Sequence, residues 1–344
     1  MSLQLRHPDP ARVEAFRAAI LPAETVLVVT HDYPDPDCLA SAHALQVLFA
    51  FWGIRTTTIT YGGFAGRAEN RAMMALLDIR TIPFLSVDFS AFERIVCVDC
   101  FPGKGNVSLP NDLTVHAVFD HHPLSDKHEL SCYCDIREEV AATSTLMVEY
   151  LVGAGCTLPT TLATALYYGI KTDTGDMLRD VSADDLAAYQ YVFERMNYPL
   201  LARIERPERD VGYYTLIHRA LENARIVGSV GFIDLEQVST PDSVAEMADF
   251  FFSCDRFEWI FCAGSFTDRL FFSIRSKNSL MSGCVAEKLA ETLGGSGGGH
   301  TRFAAGQIPL LAPYRQLFSQ FVESSCRILR MKQGGDELQP LLTT

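Results

Sequence analysis

The chain has 344 residues, 48% of them hydrophobic and 21% charged, which is typical of a globular protein and enough for about two domains of ~150 residues. A net charge of −13 argues against binding of long duplex DNA, because such proteins neutralise phosphates with a basic face. Residues 1–25 lack a signal-peptide core and no later run approaches the ~20 apolar residues of a membrane helix, so we expect a cytoplasmic protein with no membrane partner.

Strands and helices alternate in the first 200 residues. The predicted strands are 25–30, 55–61, 94–99 and 113–120 with a short extended segment near Cys132, and the predicted helices are 38–52, 67–77, 140–153 and 159–170. The β-branched content of segments such as 25–30 is that of buried parallel strands. We therefore expect an α/β domain with a doubly wound, mostly parallel sheet over residues 1–200.

A second, smaller α/β domain is predicted for residues 224–332, after a helical linker at 201–223 that Pro207 interrupts. Its strands are 226–235 and 259–275, and its helices are 242–252, 283–293 and 314–329. Residues 333–344 are polar and expected to be frayed. We expect a cleft between the two domains.

Carboxylates and imidazoles follow three of the predicted strands and one predicted helix. They are His31, Asp35 and Asp37 after the first strand, Asp99 at the end of the third, Asp120-His121-His122 at the end of the fourth, and Asp173 after helix 159–170. Ligand sites of open α/β sheets lie at these carboxyl ends. Close carboxylates repel unless a divalent ion reverses the charge balance, so the pattern predicts a metal site. The first motif alone would also suit an acidic, proline-rich surface turn.

In their order along the chain, these four segments resemble the four motifs of the DHH phosphoesterase superfamily. Residues 294–300 (GGSGGGH), followed by Ala304-Ala305-Gly306, resemble the GGGH signature of the DHH-associated C-terminal domain. The two-domain length is similar to that of the branch containing bacterial nanoRNases and 3′-phosphoadenosine-5′-phosphate phosphatases, with dinucleotide phosphodiesterases close by.

The resemblance implies two divalent ions, typically Mn²⁺, with Mg²⁺ or Co²⁺ as substitutes. One ion would be held by His31, Asp35 and Asp99, and the other by Asp37, Asp99, His121 and Asp173. Such oxygen-rich ligand sets suit Mn²⁺. His122 would donate to the scissile phosphate, or alternatively make a hydrogen bond that orients His121.

Substrate-binding residues are also implied by the resemblance. Arg275 and the loop of Gly297, Gly298, Gly299 and His300 would hold the far end of the substrate. The alternatives are a surface ion pair for the arginine and a flexible connector for the glycines. Arg67 and Asn70 are weaker candidates, which could reach the cleft or belong to a solvated helix face.

The ten cysteines are irregularly spaced and mostly lie in apolar segments, which indicates core thiols in a reducing compartment. Cys38 stands where the family usually has alanine, and Cys100 where a hydroxyl residue is frequent. Either could coordinate a softer metal. Free cysteine is more commonly a small buried hydrophobe, and we favour that interpretation here.

We therefore expect a two-metal phosphoesterase that hydrolyses short oligonucleotides or 3′-phosphoadenosine 5′-phosphate to mononucleotides. Hydrolysis of cyclic or linear dinucleotides is the main alternative. Two more distant alternatives are a pyrophosphatase or exopolyphosphatase and a non-catalytic nucleotide sensor. The GGGH signature argues against pyrophosphatase or exopolyphosphatase activity. The expected partner is the short nucleotide substrate, and a homodimer is the expected assembly.

Overall fold

The computed structural model divides into two compact units, Met1–Pro207 and Glu208–Thr344. The structure describes residues 10–103, 106–123, 132–179, 181–277, 282–299, 302–330 and 338–342.

The first unit is built on a six-stranded parallel sheet. Its elements are α1 (Pro10–Ile20), β1 (Thr25–Val29), α2 (Pro36–Phe51), β2 (Thr56–Tyr61), α3 (Ala68–Leu76), β3 (Thr81–Pro83), β4 (Arg94–Val98), β5 (Ala117–Asp120), β6 (Tyr133–Ile136), α4 (Thr143–Gly153), α5 (Thr160–Asp173), α6 (Ala183–Phe193) and α7 (Tyr198–Glu205). The strand order β3-β2-β1-β4-β5-β6 reverses direction between β1 and β4. Such a switch point leaves a crevice at the carboxyl ends of the strands.

Both faces of this sheet are buried, which explains the uninterrupted apolar strands. Val26, Val28 and Phe119 pack with the helices in the larger core. Leu27, Val29 and residues of β4 and β5 face a smaller core, closed by segments between β3 and β5. The strands are thus fixed on two sides, and their carboxyl ends form a rigid platform.

The second unit has a seven-stranded mixed sheet. Its elements are α8 (Val211–Asn223), β7 (Arg225–Val227), β8 (Val230–Gln237), α9 (Asp242–Phe252), β9 (Trp259–Phe266), β10 (Arg269–Ser276), α10 (Ser282–Thr292), β11 (Ser296–Gly299), β12 (Phe303–Pro309), α11 (Tyr314–Ile328) and β13 (Gln339–Pro340). The strand order is β11-β12-β10-β9-β8-β7-β13. Among the described strands of this second sheet, only β8 and β9 pair in parallel. The predicted α/β class is confirmed for both units.

Several predicted boundaries are wrong. The segments 226–235 and 259–275 are hairpins, with turns at Gly228 and Thr267, whose φ angles are +58° and +51°. Of the predicted linker 201–223, the first part belongs to α7 in the first unit and the rest includes α8, which packs on β8 in the second. Within the tail predicted to be frayed, Gln339–Pro340 form β13, which pairs with β7.

None of the described helices combines the length and apolar character needed to cross a membrane.

Candidate metal centre

The loop after β1 is held by the start of α2. Asp35 is the N-cap of α2, and its Oδ1 accepts a hydrogen bond from the Cys38 amide at 3.0 Å. Pro36 follows at the first helical position, where its fixed φ suits the helix. His31 donates from Nδ1 to the Asp32 carbonyl at 2.9 Å. This leaves His31 Nε2 available, 3.6 Å from Asp35 Oδ1.

Asp99 lies between the two imidazoles of the site. It follows β4 and has a φ of +58°, a strained backbone conformation that a functional position can retain. Its Oδ2 lies 3.5 Å from His31 Nε2, and its Oδ1 lies 3.5 Å from His121 Nε2. His121 Nε2 also lies 3.4 Å from Asp173 Oδ2, at the end of α5. The crevice at the switch point thus collects side chains from β1, β4, β5 and α5.

Asp37 is fixed by the first turn of α4. Its two carboxylate oxygens accept hydrogen bonds from the Thr143 and Ser144 amides at 2.7 and 2.8 Å. Thr143 also donates from Oγ1 to Asp99 Oδ1 at 2.8 Å. Because free amides at a helix N-terminus favour negative charge, α4 holds two acids of the site in place.

Three groups of residues have donor atoms within 4.8 Å of one another. We name them the His31 group (His31, Asp35, Cys38 and Asp99), the His122 group (Asp99, His121 and His122) and the Asp37 group (Asp37, His121 and Asp173). Among the described residues, the buried atoms Asp99 Oδ2 and His121 Nε2 have no hydrogen-bond partner. Buried polar atoms rarely stay unpaired, so these donors fit divalent ions bound around Asp99.

Burial and close charges shift the pKa values of the acids and imidazoles in this cluster. Burial and the Asp35 charge raise the pKa of Asp173 to about 7. Burial opposes ionisation of His121, but contacts with Asp173 and Asp99 raise its pKa to about 10. Burial would raise the pKa of Asp99, yet its contacts with His31 and His121 lower it. The cluster thus retains protons that a bound cation would displace.

His122 is oriented by Asp120 at the end of β5. Asp120 Oδ1 accepts hydrogen bonds from the backbone amides of His121 and His122 at 2.8 and 3.1 Å, and from His122 Nδ1 at 2.8 Å. The bond to Asp120 raises the pKa of His122 despite burial, which favours its protonated form. The other ring nitrogen, Nε2, is then left as a donor.

Sequence reasoning missed the residues that support these ligands. The sequence places Asp120 beside His121 and His122 but does not reveal that it orients them, and Thr143 and Ser144 are not among the predicted residues, although hydroxyl residues at a predicted helix start are a recognisable signal. Gly169 was missed too. A Cβ there would lie 2.5 Å from Ser144 Oγ and 3.1 Å from Asp37 Cα, so only glycine allows α5 this close to α2.

Arg275 has an environment that differs from the surface ion pair considered for it. It is only 5% exposed, and Nε donates to Asp249 Oδ1 at 2.6 Å. Nη1 donates to Ser273 Oγ at 2.7 Å and to the Ile274 carbonyl at 3.0 Å, while the guanidinium packs over the Phe303 ring. Arg275 is therefore a buried arginine engaged within the second unit and not the surface ion pair considered as its alternative, and its predicted substrate role stays a prediction.

The glycine segment is a strand and not the predicted loop. Gly297, Gly298 and Gly299 belong to β11, at the edge of the sheet beside β12. A Cβ on Gly297 would lie 2.9 Å from the Ala286 carbonyl, so glycine permits close packing of α10. Gly298 has open space around it. His300 lies outside the described residues.

Arg67 and Asn70 lie at the start of α3. Asn70 is buried, and its side chain donates to the Pro34 carbonyl at 2.9 Å. It therefore supports the metal-site loop, which differs from both roles considered for it. Arg67 is the N-cap residue of α3 and is partly buried. A substrate contact for Arg67 stays a prediction.

Two family models match the chain. The DHH family, N-terminal domain, matches residues 25–170, and the DHHA1 domain matches residues 227–327. An uncharacterized protein of Methanocaldococcus jannaschii is 33% identical over 83% of this chain, which spans 58% of that protein. A probable manganese-dependent inorganic pyrophosphatase of Streptococcus agalactiae is 26% identical over 43% of this chain, which spans 48% of that protein.

A solved structure supports the fold. An exopolyphosphatase-related protein from Bacteroides fragilis superposes with a TM-score of 0.76 at 14% identity, covering 94% of this chain and 98% of that one. The chain spans less than two thirds of the two relatives named above, at 58% and 48% of their lengths.

Proposed function

Because the chain belongs to the DHH family of phosphoesterases, we propose that it hydrolyses phosphoester bonds with divalent metal ions, and that its substrates are short oligonucleotides or 3′-phosphoadenosine 5′-phosphate. Mn²⁺ is the proposed ion, because the carboxylate and imidazole donors suit it and the Streptococcus relative is a probable manganese-dependent enzyme.

The observation that carries this proposal is the position of Asp99. Its carboxylate is 1% exposed, and its two oxygens lie 3.5 Å from the Nε2 atoms of His31 and His121. One carboxylate placed between two imidazole-carboxylate groups is suited to bridge two ions. Such ions, when bound, lower the pKa of a water and stabilise charge on phosphate oxygens.

The protein side chains would orient the reaction. Asp120 holds the His122 ring by its Nδ1, so His122 would donate the proton of Nε2 to an oxygen of the scissile phosphate. The hydrogen bonds from α4 to Asp37 and Asp99 keep these ligands from rotating. Preorganised ligands of this kind lose little free energy to rearrangement during reaction.

Pyrophosphatase or exopolyphosphatase activity is the second candidate. The Streptococcus pyrophosphatase supports this second candidate, because its sequence is similar to 43% of this chain. The resemblance drawn from the sequence implies a different C-terminal domain for pyrophosphatases of this superfamily, so the DHHA1 match at 227–327 counts against this second candidate. Cyclic or linear dinucleotides remain a further alternative within the same reaction class.

The test is a substrate panel at equal Mn²⁺ concentration. Values of kcat/KM are compared for a linear dinucleotide, 3′-phosphoadenosine 5′-phosphate, a cyclic dinucleotide, pyrophosphate and a long single strand, with Asp99→Ala as the inactive control. We expect one of the short nucleotides to be preferred. Preference for pyrophosphate or the long strand by more than about tenfold, ~1.4 kcal/mol in transition-state binding, would reject the substrate assignment. Full activity after chelation, with metal removal verified by elemental analysis, would reject the metal mechanism.

A further inference from the structure

Cys38 places a sulfur atom in the His31 group. The residue is fully buried in the first turn of α2, and its Sγ lies 3.4 Å from the Asp35 carbonyl oxygen. One donor atom each of His31, Asp35, Cys38 and Asp99 lies within 4.8 Å of the others. The Asp37 group, in contrast, offers only oxygen and nitrogen donors. The two sides of Asp99 therefore differ in chemical softness.

We propose that the His31 group binds a thiophilic divalent cation, Zn²⁺ or Co²⁺, with the Cys38 thiolate as a ligand, while the Asp37 group binds the harder Mn²⁺. One nitrogen, one sulfur and two carboxylates make the four donors that Zn²⁺ prefers. The centre would thus be a mixed-metal one. This inference rests on the proposed function in placing metal ions beside Asp99, but it concerns which ion is selected.

Two of the donor spacings in the His31 group are close to those of a tetrahedral site. His31 Nε2 lies 3.6 Å from Asp35 Oδ1 and 3.5 Å from Asp99 Oδ2. Metal–ligand bonds of ~2.1 Å at tetrahedral angles separate the ligand atoms by ~3.4 Å, so these three atoms would move little on binding one ion. Asp99 Oδ2 is moreover a buried atom with no hydrogen-bond partner among the described residues. An unpaired carboxylate oxygen at this position independently indicates a cation.

Ligation by Cys38 exchanges its S–H bond for a sulfur–metal bond, and the proton passes to solvent. The thiol now donates to the Asp35 carbonyl, so ligation would release that contact. Burial raises the pKa of the Cys38 thiol to about 12, so the thiolate would form only as the cation binds.

Cys100 provides a matched control. It directly follows Asp99 and is as fully buried as Cys38. Its Sγ lies 3.6 Å from the Val29 carbonyl oxygen, and within the described ranges it belongs to none of the three donor groups. The structure thus separates two cysteines that the sequence alone leaves equivalent.

The experiment is Co²⁺ substitution of the metal-free full-length chain, followed by absorption spectroscopy in the near ultraviolet. We expect a sulfur-to-cobalt charge-transfer band in the wild type and in Cys100→Ala, and its loss in Cys38→Ala. Cys38→Ala should also lower Zn²⁺ affinity by about tenfold or more while Mn²⁺ affinity changes little. Circular dichroism checks that each variant is folded.

Absence of the band in wild-type protein that retains stoichiometric Co²⁺, or persistence of the band in Cys38→Ala, would overturn the proposal. If Cys38→Ala does not fold, X-ray absorption of the Zn²⁺-loaded wild type decides instead, since a sulfur ligand at ~2.3 Å is required. Hydrolysis by the Mn²⁺-loaded protein with no sulfur ligation would reject mixed-metal selection and leave the proposed function intact.

Discussion

Removal of the Thr143 hydroxyl tests whether α4 positions the ligands of the metal site. Thr143 is buried and donates from Oγ1 to Asp99 Oδ1 at 2.8 Å, while its amide donates to Asp37. Thr143→Val keeps the shape and the amide but deletes the hydroxyl. A hydrogen bond to a charged group contributes ~1.5–3 kcal/mol. If all of this free energy is lost from ion binding, the affinity for Mn²⁺ falls by about 10- to 150-fold.

The assay is Mn²⁺ titration by calorimetry, with urea unfolding of the metal-free protein measured in parallel. Thr143→Ser retains the donor and should bind Mn²⁺ within a few-fold of wild type, whereas Thr143→Val should not. If valine and serine variants match wild type in both metal affinity and stability, the hydroxyl does not hold Asp99. If only stability falls, α4 supports the fold but does not position the ligand.

Three further results are expected. Asp99→Ala should lower kcat for a dinucleotide by several orders of magnitude, since it removes the shared ligand, and a loss confined to KM would contradict the bridging role. Burial would raise the pKa of Asp135, but its hydrogen bonds to Arg137 lower that pKa in the folded protein. The Asp135 carboxylate therefore stabilises the fold at pH values above ~3.9, its pKa in the unfolded chain, and this stabilisation is lost as the pH falls through the lower pKa of the folded protein. Asp135→Asn should therefore lower the free energy of unfolding at about pH 7 more than at about pH 3 in urea titrations, and an equal loss at both would exclude this linkage. Gly295→Ala should lower the melting temperature because its Cβ would lie 2.1 Å from a carbonyl of β12, whereas Gly298→Ala, with open space around it, should not; equal melting temperatures would refute the packing argument.

Local signals in the sequence predicted the elements that carry the ligands. The β-branched run of β1 and the apolar run of β4 lie close to their predicted bounds, and α2 begins at Pro36, two residues before its predicted start. Because parallel strands align their carboxyl ends, acids distant in sequence could be expected at one edge. His31 and Asp99 do lie together there.

Contacts made by distant segments could not be predicted in the same way. The amides that donate to Asp37 belong to residues more than 100 positions later in the chain, and no local pattern near Asp37 predicts these hydrogen bonds. The burial of Arg275 could not be predicted for a similar reason, since the sequence does not show that Asp249 of α9 lies beside it. The glycines of β11 match a family signature, but their packing against α10 becomes visible only in the folded unit.

The attachment of Asp37 and Asp99 to the first turn of α4 links ion binding to folding. An ion that binds the folded site and not the unfolded chain adds RT ln(1 + [ion]/Kd) to the stability of the fold, about 2.7 kcal/mol at a hundredfold excess over Kd. Since α4 donates to both ligands, backbone amides at its start should exchange hydrogen more slowly in the ion-loaded protein. Ion supply in the cell would then set how much of the protein survives proteolysis as well as how fast it works.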